Sequence, residues 1–366
     1  MKLNSRLYLF VLPLLLLSGC TSNQVSEPVE NTPKLVFRLS NELKPDSRIW
    51  EISNLFRNEL EKASPDGEIK AGEIKVIFYD QGTVGSERQL LESCYFDVLE
   101  MVQVNSSILT TIDPAYSILD LPYLFVTEEQ HARVLNGEIG RKFLQRLARF
   151  NLHGLGFYST GFRNLFYKYP VDSIEVKSPR DFHGLKIRVM ESPVMINSIN
   201  AIGATATPIP FSELFQSMKT GVVDGAENSA RIFMSYKYYE AGCNQFTLTE
   251  HFANQHILIA NAKWFASLEP KYQKRINEAI VISQQKFDEI WKHTTEESLC
   301  EIQKHGVMVN EINDKTPFIT RANKVIEQFS DRYPVESEEL LFDITVSYTH
   351  LPSPRDGLLS RMPSSA

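Results

Sequence analysis

The chain has 366 residues, a formal net charge of −7, 43% apolar residues and 23% charged residues. This length suits one large or two medium globular domains, and the composition is that of an ordinary globular protein. The acidic balance argues against nucleic-acid binding, which needs a basic face, but permits an anionic small ligand where buried arginines dominate the local field.

The first twenty residues read as a secretory signal. Lys2 and Arg6 precede a short apolar run at residues 7–17, which is too short to span a membrane. The run ends in Leu-Ser-Gly-Cys, which looks like a bacterial lipobox with Cys20 as the lipidated residue. We therefore predict a lipoprotein signal peptide over 1–20. The alternative is an ordinary signal peptide with an incidental cysteine.

Polar segments flank the predicted domain at both ends. Residues 21–33 carry Ser, Asn, Gln, Glu and Pro and are predicted to be a flexible tether. Residues 346–366 are rich in Pro and Ser and lack periodicity, so we predict either a non-native tail or a native disordered one. The globular part is then 34–345.

The cysteines indicate no disulfide framework or zinc site. Apart from Cys20, the chain has Cys94, Cys243 and Cys300, at wide and unpatterned spacings. One bridge at most can form among them, and we expect three buried thiols.

The first part of the domain alternates strands and helices. Strands are predicted at 35–39, 73–79 and 98–104, with a helix at 49–62 and another reaching Cys94. This order predicts a mostly parallel sheet with crossover helices.

A second α/β series begins at Leu155. It has predicted strands at 156–159, 163–168 and 185–189 and helices at 193–202 and 212–220. Residues 270–305 keep one apolar face and predict a single helix long enough to run across two lobes. We therefore predict two α/β lobes with a cleft between them.

Several ordered blocks carry a family resemblance. The blocks are Gly85-Ser-Glu-Arg-Gln-Leu-Leu-Glu, Ile118-Leu-Asp-Leu-Pro-Tyr-Leu-Phe, Gly161-Phe-Arg-Asn, Pro179-Arg-Asp-Phe-His-Gly-Leu-Lys-Ile-Arg-Val and Gly221-Val-Val-Asp-Gly-Ala-Glu-Asn, followed by Thr249-Glu-His and Lys263-Trp. With these blocks in this order, the chain resembles the DctP-like solute-binding proteins of tripartite ATP-independent periplasmic (TRAP) transporters over residues 35–312. One departure is that Asp97 and Glu100 stand where the family usually has a glycine and an aspartate.

The resemblance implies a bilobal α/β fold like that of periplasmic binding proteins. Lobe I would comprise 34–155 plus 250–270, lobe II 156–249, and residues 270–345 would pack across both. It also implies an extracytoplasmic, membrane-anchored subunit that captures a small organic acid by cleft closure and delivers it to TRAP membrane permease subunits.

Two arginines are the leading ligand-binding residues. Arg188 lies on a predicted alternating strand, and a guanidinium matches a carboxylate with two parallel hydrogen bonds. The resemblance assigns that contact to Arg188, where the alternative is a surface salt bridge. It also suggests a second ligand-facing arginine at Arg163.

Three further residues complete the predicted site. The amide of Asn228 can donate and accept hydrogen bonds, although asparagine is also a common helix cap. Glu87 and Asn41 are expected on the facing lobe. We predict no catalytic residue, metal or cofactor, because no nucleophile elbow or helical His-x-x-x-His pair occurs; His251 and His256 are wrongly spaced. Gly184 and Gly225 are expected at turns.

The sequence leaves the ligand open between a sugar acid such as a uronate and a C4-dicarboxylate. Two other functions remain as alternatives: a ligand sensor for a membrane receptor, and an extracytoplasmic lyase or hydrolase on the same scaffold.

Overall fold

The computed structural model describes residues 32–169, 176–336, 340, 341, 343 and 344. The predicted signal peptide with Cys20, the tether as far as residue 31 and the tail at 346–366 lie outside the described residues.

The described chain alternates strands and helices. The strands are β1 Leu35–Ser40, β2 Ile74–Tyr79, β3 Met101–Asn105, β4 Leu152–Tyr167, β5 Lys186–Val189, β6 Thr205–Pro208, β7 Gly225–Asn228, β8 Gln245–Asn261 and β9 Met308–Glu311. The helices are α1 Glu51–Leu60, α2 Glu87–Tyr95, α3 Glu128–Asn136, α4 Glu138–Arg146, α5 Pro193–Ala201, α6 Leu214–Lys219, α7 Ala230–Ser235, α8 Ala262–Ser267, α9 Pro270–Trp291, α10 Thr294–Lys304, α11 Thr316–Arg332 and α12 Pro334–Glu336. Short 3₁₀ turns occupy Arg48–Trp50, Ser106–Thr111, Pro114–Asp120, Leu147–Phe150, Pro179–Phe182 and Phe211–Glu213.

All nine strands form one mixed sheet in the order β2-β1-β3-β8-β4-β7-β5-β6, with β9 on β8. We call β1, β2 and β3 with their helices the first half, and β5, β6, β7 and β9 with theirs the second half. Pairing within each half is parallel, which the sequence had predicted for the first half. The pairs that β3, β4 and β7 make at the centre are antiparallel, which the sequence did not indicate.

The two halves are joined by β4 and β8. We expected separate strands at 156–159 and 163–168; these are one sixteen-residue strand, β4, which pairs with β8 through three register shifts. Gly161 in β4 and Glu250 in β8 have positive φ values of 75° and 47°. Such angles suit glycine and are unusual for glutamate. Both strands therefore bend between the halves.

The predicted helix at 270–305 is wrong as a single helix, because α9 ends at Trp291 and α10 begins at Thr294. His293, at the break, has a non-helical φ of −113°. The hydroxyl of Thr294 donates to the carbonyl of Ile290 at 2.9 Å. Side-chain hydroxyls that bond to the backbone in this way compete with the helical ladder and bend helices. The two helices pack separately, α9 on α1 and β4, and α10 on α7 and β9.

Two smaller expectations need correction. Cys94 and Cys243 are buried free thiols, but Cys300 is exposed on α10. Gly225 begins β7 and is not at a turn; a Cβ there would lie 2.1 Å from the carbonyl oxygen of Phe166. Close approach of β7 to β4 therefore requires this glycine. Gly184 does lie at a turn, with a φ of 87°.

No helix in the described part of the chain combines the length and the apolar composition of a membrane span.

His131 in α3 is a buried histidine held as the neutral form. Its Nδ1 lies 2.8 Å from the Ser159 hydroxyl and its Nε2 lies 3.0 Å from Oε1 of Gln255. Burial lowers the pKa of His131 to about 3. As the pH falls, the His131 ring is therefore protonated in the unfolded chain at a higher pH than in the folded chain. The folded state has its full stability above about pH 6.5 and loses stability as the pH falls below that value.

Between about pH 7.5 and about pH 5.5, His131 should lower the free energy of unfolding of the wild type by about 1.4 kcal/mol. We expect this part of the pH dependence to be absent in His131→Gln. Urea denaturation at both pH values measures it. Leu135→Ala, a buried change in the same helix, is the control and costs about 2–5 kcal/mol equally at both. An unchanged pH dependence in His131→Gln would contradict this account.

Candidate functional site

One cavity at the junction of the two halves brings together four of the five predicted ligand-binding residues. Its volume is about 320 Å³ when the space at its mouth that is open to solvent is included. Its lining residues are Leu43, Ile49, Glu87, Asn105, Arg163, Arg188, Met190, Phe211, Asn228, Ile232, Asn254 and His256. The wall is thus partly apolar, with polar groups placed at several points, as in small-molecule sites generally.

Arg188 is a buried arginine with no carboxylate partner among the described residues. It lies on β5, where parallel pairing with β6 and β7 holds its backbone, and its side chain is 3% exposed. Its Nε donates to the carbonyl of Ile209 at 2.7 Å, and its guanidinium lies 5.8 Å from the centre of the Phe211 ring. Burial lowers the pKa of Arg188. No described residue accepts from its two terminal nitrogens, so they remain available to a ligand.

Arg163, the second predicted arginine, is bonded mainly to other residues of the chain. It lies inside β4, 1% exposed, and forms a buried ion pair with Glu227 of β7. Its Nη2 donates to Oε1 of Glu227 at 3.0 Å, and its Nη1 donates to Oδ1 of Asn254 at 2.7 Å. Most of its donors are therefore used within the protein, although it lines the cavity.

Asn228 ends β7 and lines the cavity. The alternative that it caps a helix does not hold, because the N-cap of α7 is Ser229. Its Oδ1 accepts from the Ser229 backbone at 2.8 Å, which orients the amide.

Glu87 faces the cavity from the first residue of α2. Its Oε1 accepts from the backbone of Asn105 at 2.8 Å, and its own backbone donates to Oε2 of Glu42 at 3.1 Å. Burial, and next the charge of Glu42, raise the pKa of Glu87 to about 7. A carboxyl group of this kind accepts hydrogen bonds and can also hold a proton.

Asn41 is not among the lining residues. Its amide nitrogen donates to Ser53 and Gln103, and its Oδ1 accepts from the backbone of Leu43. The side chain therefore holds together elements of the first half beneath the cavity.

The sequence interpretation missed the polar groups that β3 and β8 contribute. Asn254 Nδ2 and His256 Nδ1 are buried and lack a hydrogen-bond partner in the described structure, and Asn105 donates to Asn254 at 2.8 Å. Burial lowers the pKa of His256 to about 3, so its ring is neutral. Buried polar groups without partners are costly, so these two atoms are available to a polar ligand.

Among its described lining residues, the cavity offers one cation without a carboxylate partner, several amides and one acid whose pKa is raised. Among the described residues, no cluster of His, Cys, Asp and Glu is suited to a metal ion.

Comparisons with known proteins agree with a binding site of this kind. The family model for bacterial extracellular solute-binding proteins, family 7 (DctP), matches residues 42–332. A solute-binding protein of Chromohalobacter salexigens is 33% identical over 274 residues, covering 75% of this chain and 80% of that protein.

A solved structure of a TRAP periplasmic solute-binding protein from Chromohalobacter salexigens, with bound D-glucuronate, has 29% identity and a TM-score of 0.78. The match covers 85% of this chain and 99% of that one. The C4-dicarboxylate-binding periplasmic protein DctP of Rhodobacter capsulatus is 26% identical over 276 residues, covering 74% of this chain and 78% of that protein.

Removing Glu227 leaves the charge of Arg163 buried without a partner. We expect Glu227→Ala to lower the free energy of unfolding by about 3–5 kcal/mol, measured by urea denaturation. The matched control is Glu92→Ala, which breaks a 3.2 Å pair with Arg88 between side chains that are more than half exposed. It should cost less than about 1 kcal/mol. Equal losses in the two variants would show that the buried pair has no special role.

Proposed function

We propose that this chain captures a small organic acid in the cavity between its two halves. It belongs to the bacterial extracellular solute-binding proteins of family 7, the DctP-like solute-binding proteins of TRAP transporters. The observation that carries the proposal is Arg188, a buried guanidinium that lacks a carboxylate partner among the described residues. Bound D-glucuronate in the Chromohalobacter salexigens structure, and the C4-dicarboxylate ligand named for the Rhodobacter capsulatus protein, support an acid as the ligand.

In this proposal the ligand carboxylate pairs with the terminal nitrogens of Arg188. A charge-assisted, two-pronged hydrogen bond of this type is strong and directional. The amides of Asn228 and Asn254 and the carboxyl group of Glu87 then bind the polar groups of the rest of the ligand. The apolar walls at Phe211 and Ile232 exclude water from these contacts.

In this mechanism, contacts between the halves hold the cleft closed. Nη1 of Arg88 donates to Glu191 at 2.8 Å, and the Ser212 backbone donates to Oε1 of Glu42 at 2.8 Å. Closure without ligand buries Arg188 unpaired, and this is unfavourable. A ligand carboxylate removes that cost, so binding shifts the population toward the closed form.

Further features of the assignment are proposals from the family. The closed form delivers its ligand to membrane permease subunits, and the chain acts in transport and has no enzymatic activity. Cys20 carries the lipid that anchors the protein outside the cytoplasm. Lobe I comprises 34–155 plus 250–270, lobe II comprises 156–249, and residues 270–345 pack across both.

We expect Arg188→Met to abolish binding without loss of fold. Affinity for the acid that the wild type binds should fall by about two to four decades, because one partner of a buried charge pair is lost. The ligand-free variant should be at least as stable as the wild type, since an unpaired buried charge is replaced by an apolar side chain.

The measurement is thermal unfolding with and without a panel of uronates, aldonates, C4-dicarboxylates and neutral sugars, followed by calorimetric titration. Saturation at about 100 times Kd stabilises the wild type by about 2.7 kcal/mol. Arg180→Met, at an exposed position in the turn before β5, is the control. Wild-type affinity in a folded Arg188→Met protein would rule out the pairing of Arg188 with the ligand carboxylate.

A further inference from the structure

The two walls of the cavity carry opposite charge. Arg163 is neutralised by Glu227, and His256 is neutral, so two ionisable lining residues remain. They are Arg188 on β5 of the second half and Glu87 on α2 of the first half. No ion pair joins these two in the described structure, so each presents its charge to the space between them.

A second carboxylate strengthens the acidic wall. Glu42 is 6% exposed and accepts from the Glu87 backbone at 3.1 Å and from the Ser212 backbone at 2.8 Å. Both of its oxygens therefore accept a hydrogen bond, one from a residue of the first half and one from a residue of the second half. These two bonds fix its side chain beside Glu87. The carboxyl group of Glu87 has one oxygen bonded to the Asn105 backbone, and no described residue donates to the other.

The two walls require different groups at the two ends of a ligand. The Arg188 wall binds a carboxylate. At the Glu87 wall a second carboxylate would meet a buried like charge, whereas a hydroxyl group would donate to the free oxygen of Glu87. Asn228 and Asn254 on the remaining walls also match hydroxyl groups, because an amide both donates and accepts.

We propose that Glu87 is a specificity-determining residue that accepts a hydroxyl group and excludes a second carboxylate, so that this chain selects polyhydroxylated monocarboxylic acids over C4-dicarboxylates. The inference rests on the function proposed above and goes further by choosing between the two ligand classes.

Protonation of Glu87 makes this selection depend on pH. Its pKa is raised to about 7 by burial and by Glu42, while Arg188 and Arg163 act in the opposite direction. Tyr236 lies within electrostatic range of Glu87; burial raises the pKa of Tyr236 well above its ordinary value, so it is neutral. Above about pH 7 the charged Glu87 repels a second carboxylate; below it, the protonated group can donate to one. Binding of a C4-dicarboxylate should therefore strengthen as the pH falls.

The test is calorimetric titration of the full-length chain with D-glucuronate, galactonate, succinate and malate at about pH 8 and about pH 6. At about pH 8 we expect the best sugar acid to bind at least about 100-fold more tightly than the best dicarboxylate. In Glu87→Gln this ratio should fall by about tenfold or more, because the amide keeps the shape and the acceptor for the Asn105 backbone but replaces the charged oxygen that accepts the hydroxyl group with an uncharged NH2 donor. The gain of dicarboxylate affinity between the two pH values should disappear in that variant.

Glu92→Gln, an exposed glutamate on the same helix, is the matched control and should leave the ratio unchanged. Equal affinity of the wild type for the two ligand classes would overturn the inference, as would an unchanged ratio in a folded Glu87→Gln protein. In both cases, loss of binding in Arg188→Met would still support the pairing of Arg188 with the ligand carboxylate. A folded wild type that binds none of these acids would overturn the proposed function itself.

Discussion

The buried ion pair between Arg163 and Glu227 holds the centre of this structure together. Through Asn254, which accepts from both Arg163 and Asn105, the pair extends across β7, β4, β8 and β3, which are neighbours in the sheet. Separating the partners of a buried charge pair is costly, so strand pairings that would part Arg163 from Glu227 are penalised. The network therefore fixes where the first half meets the second, and it orients the amide of Asn254 toward the cavity.

Arg163 and Arg188 differ in where their hydrogen-bond donors are used: those of Arg163 bond to the rest of the fold, and the terminal nitrogens of Arg188 face the cavity. Both are almost completely buried, yet the donors of Arg163 meet Glu227 and Asn254, whereas the terminal nitrogens of Arg188 have no described acceptor. One arginine stabilises the fold whether or not a ligand is present. The other makes the empty closed cavity unfavourable, and that is a useful property for a protein that must bind and also release.

The sequence predicted the first half of the fold well, because β1, α1, β2 and α2 have clear periodicity and turn residues. It did not reveal β8, whose seventeen residues mix buried Asn, Gln and His with apolar residues and show no alternation. Motif matching named Arg188, Arg163, Asn228 and Glu87, and these four line one cavity. It could not tell which arginine has a partner, because Glu227 is 64 positions from Arg163 and the pairing depends on strand order. The contacts of Asn41 are likewise long-range, to Gln103 of β3.

The interruption between α9 and α10 also affects how the molecule can move. An unbroken helix from Pro270 to Lys304 would be rigid and would pack on both halves. It would therefore resist any change in the angle between the two halves. With the break at His293, α9 can travel with α1 and α10 with α7 as separate rigid parts. Gly161, Glu250 and His293 thus mark places where the described chain passes between the halves with a non-regular backbone. Stiffening the third crossing would slow ligand exchange without touching any residue of the cavity.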